Sequence, residues 1–397
     1  MKNLKETDLG KKNNIMYILF FTVFVMVLGF ISFIELMKYY TGAGSEAVNW
    51  VSGHENRFEN DISNTFPGQF EFVNLNGLMA GFMGVHELND VVRMENGYLT
   101  VPTPHFDDAN IEANSDMIGA FNDHLASKGI PVIFVITPNT NSKYDPQMPD
   151  YYKDHGNENL DRIGTALKDR GVTVMDLRDE LESDGISSYD MMYRTDHHWT
   201  TGMGFYAYCK IADMLEEELN CSIDPIVKDI NNYTVKKYKK WHLGSRGQRV
   251  GKYFGGIDDF DLITPNFETC VRSAEGDREG TYEDILINRK WLGEKDLTIM
   301  RDDTARRSIY DWVLEDSQGD YINDLSANDK KILILSDSFG KAVCPFLDIS
   351  FARTKWQYGP VNEELIDEYD PDAVIMLYDI SEDFSEDTFN YGWALTK

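Results

Sequence analysis

Cysteine and positive charge are what this chain has least of. Four of its 397 residues are cysteine, and Cys209, Cys221, Cys270 and Cys344 are spaced neither as a zinc pattern nor as a dense disulfide framework. Cys209 and Cys221 could bridge across the end of one helix, or all four could be buried thiols; no function is assigned to them. Lysine and arginine number 38 against 67 acidic residues, a formal net charge of −29. A polyanion binds by exchanging its counterions for protein cations, so nucleic acid is excluded as an ordinary partner. A neutral or cationic glycan is easier to accept than a strongly anionic one. Hydrophobic residues, at 42%, suffice for a substantial core in one large or two ordinary domains and exclude a disordered chain.

The window 15–34 has no charged residue. At about 1.5 Å of rise per residue it matches a hydrocarbon core of about 30 Å, so it is expected to be one transmembrane helix. Lys2, Lys5, Lys11 and Lys12 precede it and Glu35 follows, which puts the N-terminus in the cytoplasm and the bulk of the chain outside. A cleaved signal peptide is the alternative, with small residues at Thr41–Ser45, but the apolar run exceeds the usual h-region. The expected organisation is a cytoplasmic tail at 1–14, an anchor at 15–34, a stalk and entry segment at 35–69 and one domain at 70–397. An insertion at about 228–330 interrupts that domain, and the expected localisation is single-pass membrane with the domain extracellular.

From residue 110 the pattern alternates. Helical periodicity over 111–128 is followed by a wholly apolar run at 131–136, a helix over 157–170 by the strand 172–175. After a helix from about 200 to 219 the alternation breaks. It resumes with strands at 331–335 and 373–378 and a helix at 362–369. Apolar strands interleaved with helices predict an α/β domain with a mostly parallel sheet covered on both faces. Sites in such sheets form at the carboxyl ends of strands.

Two blocks stand at those ends or near them. Thr195-Asp196-His197-His198-Trp199-Thr200 leads into the helix at 200, and Ser336-Asp337-Ser338-Phe339-Gly340 follows the strand 331–335. A serine hydroxyl is a poor nucleophile until an imidazole takes its proton, and the imidazole needs a carboxylate to hold its tautomer. Ser338, His198 and Asp196 supply the three groups. Side chains two apart diverge on a helix, so the spacing of Asp196 and His198 predicts a tight loop. Either His197 or His198 could be the base on this reading. The Ser338 N–H is a candidate oxyanion donor, joined by Asn139, Asn141 or Lys143 from the loop after the first strand. Asp196, His197 and His198 could also ligate a metal, but adjacent histidines do not fit the helical zinc pattern and no further ligands complete a set. No metal or diffusible cofactor is expected.

The Asp-His-His-Trp block followed by an apolar strand and Ser-Asp-Ser-Phe resembles the DHHW family of Gram-positive bacteria. That family is similar to the SGNH-like polysaccharide O-acetyltransferases of alginate biosynthesis. In those relatives the Asp-x-His pair precedes the nucleophile, the permuted order seen here, which maps onto Asp196, His198 and Ser338 and selects His198 as base. Ser336 stands where SGNH enzymes carry the first glycine of Gly-Asp-Ser. Residues 136–144 and Gly244-Ser245-Arg246-Gly247 resemble further stretches of these proteins. The resemblance, over roughly 70–390, implies an SGNH-hydrolase-like fold and a multispanning acyltransferase of the MBOAT class as partner. The expected function is a membrane-anchored serine O-acetyltransferase acting on a cell-surface polysaccharide through an acetyl-serine intermediate. A carbohydrate acetylesterase with the same triad, or a non-catalytic glycan-binding protein, is the alternative.

Overall fold

Strands buried on both faces must be apolar at every position, and the period of two then decides which side chain meets which layer. In the computed structural model, which describes residues 17–27, 29–30, 69–292, 309–381, 384 and 386–396, three such strands form the centre of the sheet: β1 (Val132–Ile136), β6 (Lys331–Ser336) and β8 (Ala373–Tyr378). Ile133, Val135, Ile332, Ile334, Ile375 and Leu377 face one core cluster; it includes Met203, Tyr208, Ile211 and Leu215 of the helix Thr201–Leu219. Phe134, Ile136, Leu333, Leu335, Val374 and Met376 face the opposite cluster with Phe121 and Leu125 of the helix Asp108–Ser127 and Leu160 and Ile163 of the helix Gly156–Asp169. Each fully buried side chain of this size contributes about 1.5–3 kcal/mol, so these two layers fix the register of the central strands.

The complete sheet has eight strands. The others are β2 (Thr173–Asp176), β3 (Val271–Ser273), β4 (Glu279–Gly280), β5 (Asp320–Asn323) and β7 (Arg353–Gln357), giving the order β2-β1-β8-β6-β7-β5-β3-β4. The pairings from β2 through to β7 are parallel and those of β7-β5, β5-β3 and β3-β4 antiparallel. The sheet is therefore mixed rather than mostly parallel throughout. The physical reason is that β3, β4 and β5, drawn from 228–330, are too short to bury on both faces and pair as an antiparallel edge. The same stretch supplies a separate hairpin, Tyr233–His242 with Asp258–Pro265, whose last register pair is His242 opposite Asp258.

The chain divides into two compact units, Met1–Asn76 and Gly77–Lys397. In the first, residues 17–27 and 29–30 are helical, and among the described residues no helix is long and apolar enough to cross a membrane. Residues 17–27 span about 16 Å at about 1.5 Å per residue, roughly half of a hydrocarbon core; residues 15–16, 28 and 31–34 of the expected anchor lie outside the described residues. The expected transmembrane helix is not found among the described residues. With it go the single-pass membrane localisation, the extracellular placement derived from it and the membrane-anchored form of the function. The MBOAT-class partner, implied by the resemblance, finds no support either. All four cysteines are free thiols.

Candidate active site

The base loop is closed by its own ends. Met192 and Trp199 form an isolated antiparallel bridge, Tyr193 N–H donates to the His198 carbonyl at 3.2 Å and Thr200 N–H to the Met191 carbonyl at 2.9 Å. Thr200 then caps the following helix, accepting from Met203 N–H at 3.1 Å. The strand β6 ends at Ser336, and the chain turns directly into a 3-10 segment, Ser338–Ala342. Asp337 caps that turn, its Oδ1 accepting from Phe339 N–H and its Oδ2 from Asp379 N–H, each at 2.8 Å. Loss of hydration, and then the charge of Asp379, push the Asp337 carboxyl up to about 7. As the first residue of the segment, Ser338 keeps its N–H outside the local hydrogen-bond ladder.

The two pieces meet where the helix Thr201–Leu219 passes the turn. A Cβ at Gly204 would lie 2.4 Å from Ala342 Cβ and 2.5 Å from its carbonyl oxygen, so the approach requires glycine. Across this contact Ser338 Oγ lies 2.6 Å from His198 Nε2. His198 Nδ1 faces Asp196 Oδ2 at 3.4 Å. Burial lowers the His198 pKa and outweighs the attraction of Asp196, which leaves the imidazole neutral near pH 7. Burial alone would raise Asp196, but the nearby His198 imidazole and the hydrogen bonds from His197 and His242 hold its carboxyl well below the usual range. His197 is driven upward by Asp196 against its own desolvation. Its Nδ1 sits 3.0 Å from Asp196 Oδ1 and 2.8 Å from Ser245 Oγ, so it serves the carboxylate rather than the serine.

Several residues around this relay gave no signal in their own spacing. Tyr310 stacks on the His198 ring at 4.4 Å and 23°; its hydroxyl donates to the carbonyls of Ser338 at 3.1 Å and Phe339 at 3.2 Å. Trp199 Nε1 donates to Tyr310 Oη and to the Phe339 carbonyl, each at 3.2 Å, tying the base loop to the nucleophile turn. Ser245 donates to Asp196 Oδ1 through N–H at 3.2 Å and Oγ at 2.9 Å. Arg246 reaches the Asp196 carbonyl, Leu99 O and Thr140 Oγ1. The glycine-rich stretch explains how that contact is possible: a Cβ at Gly244 would stand 2.2 Å from Asp196 Cβ. Thr195 is held by Asp258 Oδ2, through N–H at 2.8 Å and Oγ1 at 2.6 Å.

Of the other oxyanion candidates, Asn141 and Lys143 donate elsewhere, and Asn139 is held through its oxygen. Asn141 Nδ2 donates to Asp154 at 2.8 Å and its Oδ1 accepts from Gln147 N–H; Asn139 Oδ1 accepts from Asn141 N–H. Lys143 pairs with Asp161 at 3.0 Å and Asp179 at 3.1 Å. Asn139 and Lys143 line a cavity of about 300 Å³ with Ser142, Tyr144 and Arg178, in whose wall Asp196, His198 and Ser338 take no part. Asp196, His197 and His198 bring three donor atoms within 4.8 Å of one another, near enough for one cation. Asp196 Oδ1 already accepts from His197 N–H and from Ser245, and His198 Nε2 is engaged by Ser338. These hydrogen bonds suit a proton relay.

Residues 96–228, which include the Asp-His-His-Trp block, match the family model of an SGNH hydrolase-like domain, acetyltransferase AlgX. That segment is SGNH-hydrolase-like. Among solved structures the chain is similar in fold to Bacillus cereus PatB1 with a sulfonyl adduct, at 18% identity and a TM-score of 0.57 over 76% of this chain and 99% of that one. A DHHW family protein from Eubacterium siraeum matches at 14% identity and a TM-score of 0.54 over 78% of this chain and 96% of that one. No curated protein sequence matches the chain.

Proposed function

We propose that the domain is a serine O-acetyltransferase that acts on a hydroxyl of a polysaccharide through an acetyl-Ser338 intermediate. The family match makes the chain an SGNH-like enzyme of the acyltransferase and esterase kind. The observation that carries the residue assignment is the 2.6 Å contact between Ser338 Oγ and His198 Nε2. In the first half-reaction Ser338 Oγ attacks the acetyl carbonyl of a donor ester while its proton passes to His198 Nε2. The Ser338 N–H is placed to donate to the developing oxyanion. Collapse expels the donor alkoxide, which takes the proton back from His198, and leaves acetyl-Ser338. In the second, His198 takes the proton of a sugar hydroxyl, that oxygen attacks the acetyl group, and Ser338 leaves with the proton. Asp196 stabilises the imidazolium formed in each half.

The strongly acidic chain, at −29, supports a neutral or cationic glycan as acceptor over a strongly anionic one. Ser338 is partly exposed, and this favours one second reading, an acetylesterase in which water takes the place of the sugar hydroxyl. The test is to incubate the protein with an acetyl ester and a neutral oligosaccharide and weigh the products. Acetylated oligosaccharide is expected with the wild type and none with Ser338→Ala. Free acetate alone would select the esterase, and product from Ser338→Ala would remove Ser338 from the mechanism.

A further inference from the structure

Asp196 does not serve one imidazole alone. Its Oδ2, which faces His198 Nδ1 at 3.4 Å, accepts a hydrogen bond from His242 Nε2 at 2.8 Å. His242 arrives at the end of the hairpin strand Tyr233–His242 and is wholly buried. Among the described residues its other ring nitrogen, Nδ1, meets no hydrogen-bonding partner, while the Tyr193 ring packs on it at 4.4 Å. A side chain wanted only for packing at such a place would be apolar, because a buried polar atom without a partner is costly. The contact that justifies an imidazole here is the one to Asp196.

We infer that His242 is a positioning residue for the proposed relay: its Nε2–H holds Oδ2 of Asp196 ionised and aimed, so that one carboxylate oxygen is shared between two imidazoles with different tasks. This rests on the reading of Ser338, His198 and Asp196 as the reacting set. The other carboxylate oxygen is already fixed by His197 N–H and by Ser245 N–H and Oγ. The donor from His242 therefore determines how far Oδ2 can turn toward His198. When Ser338 passes its proton to His198, the new imidazolium draws on an oxygen that is already in place. The groups facing His198 are Asp196, His197, Tyr310 and Asp311. Those facing Asp196 are His197, His198, His242 and Ser245, with Arg246 on its carbonyl.

The readout is the rate at which phenylmethylsulfonyl fluoride labels Ser338, followed against pH in the full chain. In that reaction the Ser338 Oγ–S bond forms, the S–F bond breaks, fluoride leaves and His198 takes the hydroxyl proton. Glutamine can set an amide N–H where His242 Nε2–H lies; asparagine overlays only the Nδ1 position and falls short of Asp196. Misplacement on the scale of 1 Å costs roughly 100-fold, so His242→Asn and His242→Phe should label about 10- to 100-fold more slowly. Their acid limb, set by His198, should move to lower pH, because a misplaced Asp196 carboxylate stabilises the imidazolium less. His242→Gln should keep the wild-type limb and most of the rate. In an Asp196→Asn background, His242→Asn should cost nothing further. If His242→Phe fails to fold, the Asn and Gln pair decides alone. A wild-type limb and rate in His242→Asn, or a His242→Gln protein as slow as His242→Asn, would overturn the inference. A wild type that does not label at Ser338 would instead sink the underlying reading of the triad.

Discussion

The nucleophile turn and the base loop are built on opposite principles. The turn is local: β6 delivers Ser338, and Asp337, one residue earlier, caps the segment that presents it. The loop is held from afar, its Thr195 by Asp258 and its Asp196 by His242 and Ser245. A strand end can expose a hydroxyl with little help, whereas burying a carboxylate requires donors for its oxygens, and these must come from wherever the fold can bring them. Local damage should therefore be tolerated better in the turn than remote damage in the loop.

Three changes sharpen that contrast, taken from the largest effect down. Asp196→Asn leaves the shape but puts an amide where the anion was. By the behaviour of other serine triads kcat should fall about 10⁴-fold, and an acetyl-ester assay with near-wild-type activity would show the loop's donors to be serving something other than the relay. Gly244→Ala drives a methyl into Asp196 Cβ, at 2.2 Å; overpacking of this kind costs about 1–3 kcal/mol, to be seen as a lowered melting temperature together with lost turnover. Asp337→Ala removes the local cap, worth about 1 kcal/mol, and one acceptor for Asp379 N–H, and should lower stability the least of the three in the same melting series. If it proves the more damaging, the contrast between local and remote support is broken.

The pH profile bears on the loop alone. His198 must be neutral to accept the Ser338 proton, and its pKa lies below the ordinary value of 6.5 because burial disfavours the imidazolium. Activity should therefore rise through an acid limb below that value and be level by neutral pH, as measured by kcat/KM for an acetyl ester. A limb above 6.5 would mean that Asp196 outweighs burial at His198.

What was legible from the sequence follows the same division. The strands at 132–136, 331–336 and 373–378 announce themselves because burial on both faces makes every position apolar. Ser338 is placed by the strand before it, and Asp196 with His198 by their spacing. His242, Ser245, Tyr310 and Arg246 have no such local mark, since their meaning lies in partners 46 to 49 residues away for His242 and Ser245 and 111 for Tyr310 and Trp199. The glycine-rich stretch at 244–247 was the available clue: a glycine beside charged residues marks a close backbone approach. The short strands β3, β4 and β5 carry too few residues to show alternation. The apolar run at 15–34 has the composition of a membrane span, but composition alone does not fix helix length, and among the described residues no helix is long and apolar enough to cross a membrane.

The contact of Gly204 with Ala342 has one more consequence. Because main chain rests on main chain there, the gap between imidazole and hydroxyl is gauged by a stop that no rotamer change can relax. Heating should leave turnover geometry nearly constant until the helix lifts off the turn, and then abolish it in one step, with the onset of inactivation coinciding with exposure of the Gly204 amide to exchange.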